Sequence, residues 1–447
     1  MNQSYWQKDK IKSFPKLEED IDCDVLIIGG GLAGLCTAHH FNGTNLKVVV
    51  IDKDTLMSHT SSHTTAKVTV LHGLVYQDIA RLYGNYYAYL YYKSNEEAYK
   101  RMLDYINQYH IQCDFEDNDS YIYSDDIKIQ VLFDRQKQLF QSFKIPMVYL
   151  DNHICSLGLK NQGIFNPMLY AASLIEHSPT ITFYEHTQAT HIRRYKNEYK
   201  VSASNHTITC RYLVHATRYP MIYKGLFFTK MYQEKHWVSY CHKQDHNHSL
   251  LNMSKTYSYR KVSEGCLEVK DEGDWYTMDS MTYRHIPYIG RYKHNEFVIY
   301  GFSKWGMTLS EVAGQLISDL ILEKKNAYEE LYSPNDENYS FLYENKDLIL
   351  DSLNQGYIKG RFEYTHIDHI SCNEGGIIKK DNKLVAVYKD QNGTCHYFSP
   401  YCRHMLCLLQ FDKQSHTWVC PCHQSVYDCY GKIIEGPSIK CLKEQKE

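Results

Sequence analysis

Apolar runs and polar intervals divide the chain into readable elements. Asp24-Val-Leu-Ile-Ile28 is short and uninterrupted, the pattern of a strand buried on both faces. It leads into Gly29-Gly-Gly31-Leu-Ala-Gly34 and the helix-compatible stretch 35–41. A second apolar run, 47–51, ends at Asp52. Helical periodicity mixed with charge predicts helices over 96–110 and 127–144, whereas 114–123 and 198–210 read as strands. Two later strands are expected at 212–217 and 297–301, the second followed by a helix-like stretch over 309–322. Nearer the end, short strands at 376–379, 384–388 and 396–398 are separated by Asp381-Asn382 and Asn392-Gly393 turns, as in a small β-domain. Between these halves, 323–338 is polar and contains Ser333-Pro334-Asn335, as a linker would, and 338–361 can hold a helix.

The first of these elements carry chemistry. Strand, G-x-G-x-x-G, helix, strand and terminal acid follow in order, with Asp52 18 residues after Gly34. Gly29 suits a tight turn, Gly31 a close approach of the pyrophosphate, and Gly34 a close helix–strand contact. The helix N-terminus supports phosphate charge, and Asp52 can accept from ribose hydroxyls. The pattern indicates dinucleotide binding, and NAD and FAD both fit it. The hydroxyl-rich stretch 58–67 follows, with Thr64, Thr65 and Ala66. Ala216 and Thr217 end a late strand, and Gly301 leads to Gly306, Met307 and Thr308. So late a return to the nucleotide fold is the habit of a flavoprotein whose FAD domain is built from discontinuous pieces.

Composition sets limits. At 447 residues the chain exceeds one ordinary core, so two or three domains are expected. A net charge of −3 excludes a generic nucleic-acid or anionic-membrane binder. No apolar run reaches the roughly 20 residues of a membrane span. The polar N-terminal stretch does not read as a secretory signal, so a cytoplasmic location is expected. Of 15 cysteines, eight lie from Cys372 onward, which points to a separate C-terminal redox or metal module. There Cys402-Arg-His404 and Cys420-Pro-Cys422-His423 bring two thiols and two imidazoles together. That set suits a Rieske 2Fe–2S centre, with two Cys on one iron and two His on the other, or a Cys2His2 zinc site.

From 24 to about 321 the chain resembles the FAD-dependent D-amino-acid-oxidase superfamily. The resemblance implies that the backbone of Gly306, Met307 and Thr308 opens a helix aimed at the flavin pyrimidine edge, where its N-terminus stabilises negative charge. The stretch 420–428, with Gly431 and Gly436-Pro437, resembles the second cluster loop of Rieske proteins. That likeness implies Cys402, His404, Cys420 and His423 as ligands and a Cys407–Cys422 disulfide joining the loops. It also implies hydrogen bonds from Ser425 and Tyr427 to cluster and ligand sulfur, which raise the potential. Ser4-Tyr-Trp6, Thr64-Thr-Ala-Lys-Val-Thr69, His72-Gly73, Ala216-Thr-Arg-Tyr-Pro220 and Pro287-Tyr-Ile-Gly-Arg291 are similar to a bacterial family that fuses the two domains.

The resulting fold expectation is α/β followed by β. A discontinuous Rossmann-like FAD domain (23–95, 160–220, 285–325) would carry an inserted α+β substrate domain (96–159, 221–284). An arm (1–22) precedes it, and a linker with a helix (326–360) and an all-β Rieske domain (361–447) follow. The resemblance implies oxidation of a small amine-like substrate, with electrons passed singly through the cluster to a carrier protein. Entry of electrons at the cluster, and a non-enzymatic sensor on the same fold, remain alternatives. Where oxidases of the superfamily place a carboxylate-binding Arg this chain has Asp279, with Arg284 nearby but out of register. The stretch from Cys266 to Trp275 is short for the superfamily. Ser58, His59 and Ser62 replace common glycines, as do Leu406 and Gln424, and Arg403 replaces a commoner Thr. His242, Asp245, His246 and His248 read as a solvated loop in a chain with 24 His. No side chain is singled out as catalytic acid or base.

Overall fold

The computed structural model describes residues 3–220, 227, 230–335, 365–404, 406–421, 425–436, 438 and 440–445. The chain divides into two compact units, Met1–Arg218 with Glu234–Glu337, and Tyr219–Gln233 with Asn338–Glu447.

The first unit is built on a sheet in the order Tyr288–Lys293, Glu296–Tyr300, His206–Arg218, Ile21–Ile28, Val48–Ile51, Ile181–Tyr184. The last five run parallel, and Tyr288–Lys293 is antiparallel at one edge. Val25–Ile28 and Val48–Ile51 are wholly buried β-branched and Leu residues, as a sheet covered on both faces requires. The helices Leu32–His39 and Gly306–Ile321 pack on one another. The parallel strands end together at Ile28, Ile51, Tyr184, Arg218 and Tyr300, the edge where open α/β sheets form their ligand crevice.

A second sheet of seven strands runs in the order Trp275–Thr282, Met231–Cys241, Gly265–Lys270, Ser258–Val262, Ser249–Asn252, Ser120–Ser124, Cys155–Leu159. The helices Asn85–Gln108 and Gln130–Ser142 correspond to the two expected from periodicity, the first starting 11 residues earlier. The strand expected over 114–123 is divided into Glu116–Asp117 and Ser120–Ser124. The one expected over 198–210 is a hairpin, because Ser204 and Asn205 both adopt left-handed φ (47° and 74°) and Ala203 pairs with His206. Its second strand continues to Arg218 and absorbs the run at 212–217. A single helical turn, Thr60–His63, was not legible in the hydrophobic pattern.

The described part of the second unit is mainly β-structure, with one 3-10 turn at Ile367–His369. Glu374–Lys380, Lys383–Lys389 and Cys395–Phe398 form an antiparallel sheet, whose first turn places Asp381 and Asn382 at φ 48° and 60°. Gln410–Asp412, Thr417–Val419, Val426–Asp428 and Ile433–Glu435 form a second. Trp418, Tyr427, Leu409, Phe398, Cys402 and Cys420 share its core. The helix expected in 338–361 lies outside the described residues.

Candidate cofactor sites

Around the first strand crossover, the glycines divide the work by geometry. Gly29 has φ 113°, and a Cβ there would overlap the Ala216 carbonyl. A Cβ on Gly34 would overlap the Gly29 carbonyl, so that glycine lets helix and strand close on each other. At Gly31 a Cβ would meet only the Ser61 hydroxyl, at 3.0 Å, so the open side is left for a ligand. Ser61 Oγ accepts from the Leu32 amide at 3.0 Å at the helix N-terminus. Its own O–H stays available to donate to a phosphate oxygen. Ser61 stands in the hydroxyl-rich stretch but was not singled out from sequence. Asp52 Oδ2 accepts from Gly30 N at 2.7 Å and Oδ1 from Asp54 N at 2.9 Å. Burial raises its pKa against those two backbone bonds. Each carboxylate oxygen keeps a second lone pair for a ribose hydroxyl.

Thr64, Thr65 and Ala66 are held from behind by their carbonyls. Trp275 Nε1 donates to His63 O (3.1 Å), Trp6 Nε1 to Thr64 O (2.7 Å), and Arg260 Nη1 to Thr65 O (2.6 Å) and Ala66 O (3.2 Å). Arg260 Nη2 adds Phe165 O at 2.9 Å, and the guanidinium lies 4.7 Å from the Trp6 ring centroid. Ala66 adopts φ 54°, unusual for a residue with a Cβ. Burial lowers the pKa of Arg260 to about 9. Burial and the Arg260 charge lower that of Lys67 to about 7, with its ammonium donating to Leu250 O (2.7 Å) and Ser258 Oγ (2.5 Å). Sequence reading noted Trp6 and Lys67 only as likenesses, and Arg260 gave no local signal.

Ala216 and Thr217 sit at the crevice end of their strand, and Gly301, at φ 78°, follows Tyr300 on the neighbouring one. Gly306, Met307 and Thr308 form the first turn of the helix Gly306–Ile321. The Thr308 hydroxyl donates to Asn95 Oδ1 (2.8 Å) and lies 3.2 Å from His72 Nε2, so the backbone of this turn is what it offers a ligand. His72 stacks on Trp305 at 4.6 Å, and burial lowers its pKa to about 3.

Arg284 is a structural knot. Fully enclosed, it donates to the carbonyls of Ile286 (2.9 Å), Pro287, Tyr332 (3.1 Å) and Ser333 (2.9 Å). Asp279 lies on the strand Trp275–Thr282. The loop histidines make ring contacts, His246 with His248 (5.6 Å) and Tyr259 (5.0 Å). Among the described residues, the three-donor group compact enough for a metal is instead Cys241, Cys266 and Glu268, with ligand atoms within 4.8 Å of one another.

In the second unit Cys402 and Cys420 are buried, and their thiols interact. Hydrogen bonding from Cys420 is the largest cause of a lowered Cys402 pKa. The Tyr427 hydroxyl is 3.3 Å from Cys402 Sγ and accepts from Arg403 N at 3.1 Å. The His404 amide donates to the same sulfur at 3.5 Å. Donors converging on a buried sulfur are what an iron-bound thiolate needs, so these residues fit the cluster. Burial lowers the pKa of His404 to about 4, which favours the neutral, ligating imidazole, and its ring meets Tyr219 edge-on at 6.0 Å. Ser425 Oγ accepts from Ser438 N at 3.0 Å. Cys407 is disulfide-bonded. His423, Cys422 and Gln424 lie outside the described residues. Leu406 stands at φ 59°, the conformation a glycine takes without strain. No helix among the described residues is long and apolar enough to cross a membrane.

Comparison with known proteins identifies both domains. Residues 24–219 match the family model of FAD dependent oxidoreductases, and 365–446 that of the Rieske [2Fe-2S] domain. A Bacillus subtilis (strain 168) protein named as a Rieske 2Fe-2S iron-sulfur protein, YhfW, is 28% identical across 99% of this chain and 97% of its own. The cytochrome b6-f complex iron-sulfur subunit of Synechococcus elongatus is 33% identical over 61 residues, 14% of this chain and 34% of that one. Among solved structures, glycine oxidase from Geobacillus kaustophilus shares the fold with a TM-score of 0.60 at 15% identity, covering 71% of this chain and 99% of that one. L-proline dehydrogenase from P. horikoshii gives 0.57 at 14%, covering 74% and 99%. A sheet whose parallel strands end at one crevice and a β-domain with paired buried thiols thus belong to a chain that carries an FAD-dependent oxidoreductase domain followed by a C-terminal Rieske [2Fe-2S] domain.

Proposed function

We propose that the protein oxidises a small amine-like substrate and delivers the electrons one at a time to an external carrier protein. The observation that carries this reading is the presence on one chain of two complementary donor sets. One is a crevice at the parallel strand ends, and the other is a pair of buried thiols with a hydroxyl and an amide aimed at one sulfur. When bound, FAD supplies two-electron acceptance from a C–N or C–H bond and the cluster supplies one-electron exchange. In this reading the flavin domain comprises 23–95, 160–220 and 285–325, with the substrate domain at 96–159 and 221–284 and the Rieske domain at 361–447.

Within the crevice, the backbone at Gly31 and the Ser61 hydroxyl would hold the pyrophosphate, and Asp52 the ribose. The 64–66 backbone, braced by Trp6 and Arg260, would hold the isoalloxazine beside Ala216 and Thr217. The amides of Gly306–Thr308 would face its pyrimidine edge. Cys402, His404, Cys420 and His423 would hold the irons, tuned by Tyr427 and Ser425. No side-chain base is required, because a neutral amine delivers hydride without one.

The test is anaerobic purification with FAD, iron, zinc and acid-labile sulfide quantified together, then rapid mixing with a panel of amines. Flavin bleaching that precedes cluster bleaching is expected. Zinc in place of iron, or cluster reduction by an added reductase ahead of the flavin with no response to any amine, would overturn the reading.

A further inference from the structure

The strands Met231–Cys241 and Gly265–Lys270 run antiparallel, with Cys241 directly opposite Cys266 and Ser239 opposite Glu268. Cys266 and Glu268 are two residues apart on one strand and so share a face, and Cys241 lies across from Cys266 on that face. The register therefore gathers two thiols and a carboxylate. Their ligand atoms all fall within 4.8 Å of one another, and the Cys241 thiol donates to Glu268 Oε2 at 3.3 Å. A tetrahedral zinc with Zn–S of about 2.3 Å and Zn–O of about 2.0–2.2 Å has S···O edges of roughly 3.5 Å and S···S edges of roughly 3.8 Å. The three side chains already stand close to such corners.

Their surroundings supply the rest of what a metal site needs. Cys266 and Glu268 are buried and Cys241 is half-buried, which leaves a sheltered floor and one side open to an entering ion. Cys266 packs with Tyr123, Leu250 and Tyr259, an apolar backing that limits water. The carboxylate is already oriented from outside: the Tyr257 hydroxyl donates to Oε1 at 3.1 Å, and the Lys270 ammonium pairs with Oε2. Ligating carboxylates depend on outer hydrogen bonds of this kind.

We propose that Cys241, Cys266 and Glu268 form a binding site for a zinc-class divalent cation, with a water as fourth ligand on the open side. The site draws on none of the residues assigned to the flavin or the cluster. Two sulfur donors select zinc or cadmium over magnesium and calcium, which take oxygen ligands. Before the metal enters, burial holds the Cys266 thiol up at about 12, so it carries its proton. On binding, both thiols release their protons to solvent and two sulfur–metal bonds form, with no change of oxidation state. Two thiolates and one carboxylate against a divalent ion leave one net negative charge. Lys270, half-exposed and beside Glu268, offsets it when its ammonium swings off Oε2.

The experiment titrates full-length protein with Zn2+ against a competing chelator dye, and with Cd2+ while following the ultraviolet sulfur-to-cadmium charge-transfer band. One site is expected that weakens at least ~10-fold in Cys241→Ser and in Glu268→Gln and is unchanged in Cys372→Ser, whose thiol is exposed elsewhere. Iron, acid-labile sulfide and flavin contents should not move between these proteins. Zinc held by the cluster ligands instead of iron would persist in Cys241→Ser, so the difference between natural protein and variant reports this site alone. A second measurement needs no variant: Zn2+ is expected to suppress iodoacetamide modification of Cys241 in the natural protein while Cys372 reacts as before. That result decides the matter if the substitutions prevent folding. Equal zinc affinity in natural protein and Cys241→Ser, no cadmium–sulfur band, or modification of Cys241 indifferent to Zn2+ would each overturn the proposal.

Discussion

The indole of Trp6 donates to the carbonyl of Thr64 at 2.7 Å, binding the N-terminal arm to the loop that follows the second strand. The arm is therefore part of the loop's support. Trp6→Phe keeps the ring over Arg260 and removes one hydrogen bond, so a loss of about 1 kcal/mol is expected. The thermal midpoint should fall slightly, and flavin should wash out faster on gel filtration.

Arg260 has the larger effect because three carbonyls, those of Thr65, Ala66 and Phe165, depend on one guanidinium. Lysine keeps the charge and lacks the fork. Arg260→Lys is expected to leave at least one buried carbonyl without a donor and to cost about 1–3 kcal/mol. Flavin retention and a thermal melt check it, with loss of flavin exceeding that of Trp6→Phe.

The glycine fingerprint and Asp52 were legible because their partners are local: Gly29, Gly30 and Asp54 lie within one strand–turn–strand unit. Arg260 was not, because its contacts with Thr65 and Ala66 span 195 and 194 residues of sequence. Ser61 was one hydroxyl among several, and only its distance to the Leu32 amide separates it from Ser58 and Ser62. Arg284 stood out of register with a carboxylate-binding Arg, and four carbonyls show it to be packing. The hairpin at Ser204–Asn205 was missed because neither residue is glycine, although both take left-handed φ. The Asp381-Asn382 turn, with the same geometry, was read correctly from its side chains.

Glu311, buried in the helix Gly306–Ile321, is bound by His40 Nε2 at 2.7 Å and Arg101 Nε at 3.0 Å. Burial alone would raise its carboxyl pKa, but His40 and Arg101 outweigh it and hold the pKa low. A depressed folded-state pKa contributes stability above the unfolded value of about 4.3, and that contribution is lost as pH falls through the folded pKa. Glu311→Gln is expected to cost about 3 kcal/mol at neutral pH. The gap between natural protein and variant should narrow as denaturation is repeated below about pH 4.

Tyr427 places its hydroxyl 3.3 Å from Cys402 Sγ. Donation to a cluster sulfur disperses the charge gained on reduction and raises the potential. Removing about 1 kcal/mol of that stabilisation in Tyr427→Phe should lower the midpoint by ~40 mV for one electron. Spectroelectrochemical titration measures it, with the flavin midpoint as an internal control.

Leu406 stands in a left-handed conformation with its side chain 67% exposed, so it carries backbone strain with little packing in return. Its amide donates to the Cys402 carbonyl at 3.0 Å, a bond that glycine keeps. Relief of the strain is worth about 1–2 kcal/mol, and the added freedom of glycine in the unfolded chain offsets roughly half of it. Leu406→Gly is therefore expected to stabilise the cluster-binding unit by about 0.5–1 kcal/mol. Leu406→Ala, which trims the side chain and leaves the Cβ, should give no gain. The temperature at which the cluster absorption is lost distinguishes them, and an equal shift in both variants would place the effect in the exposed leucine side chain and not in its φ.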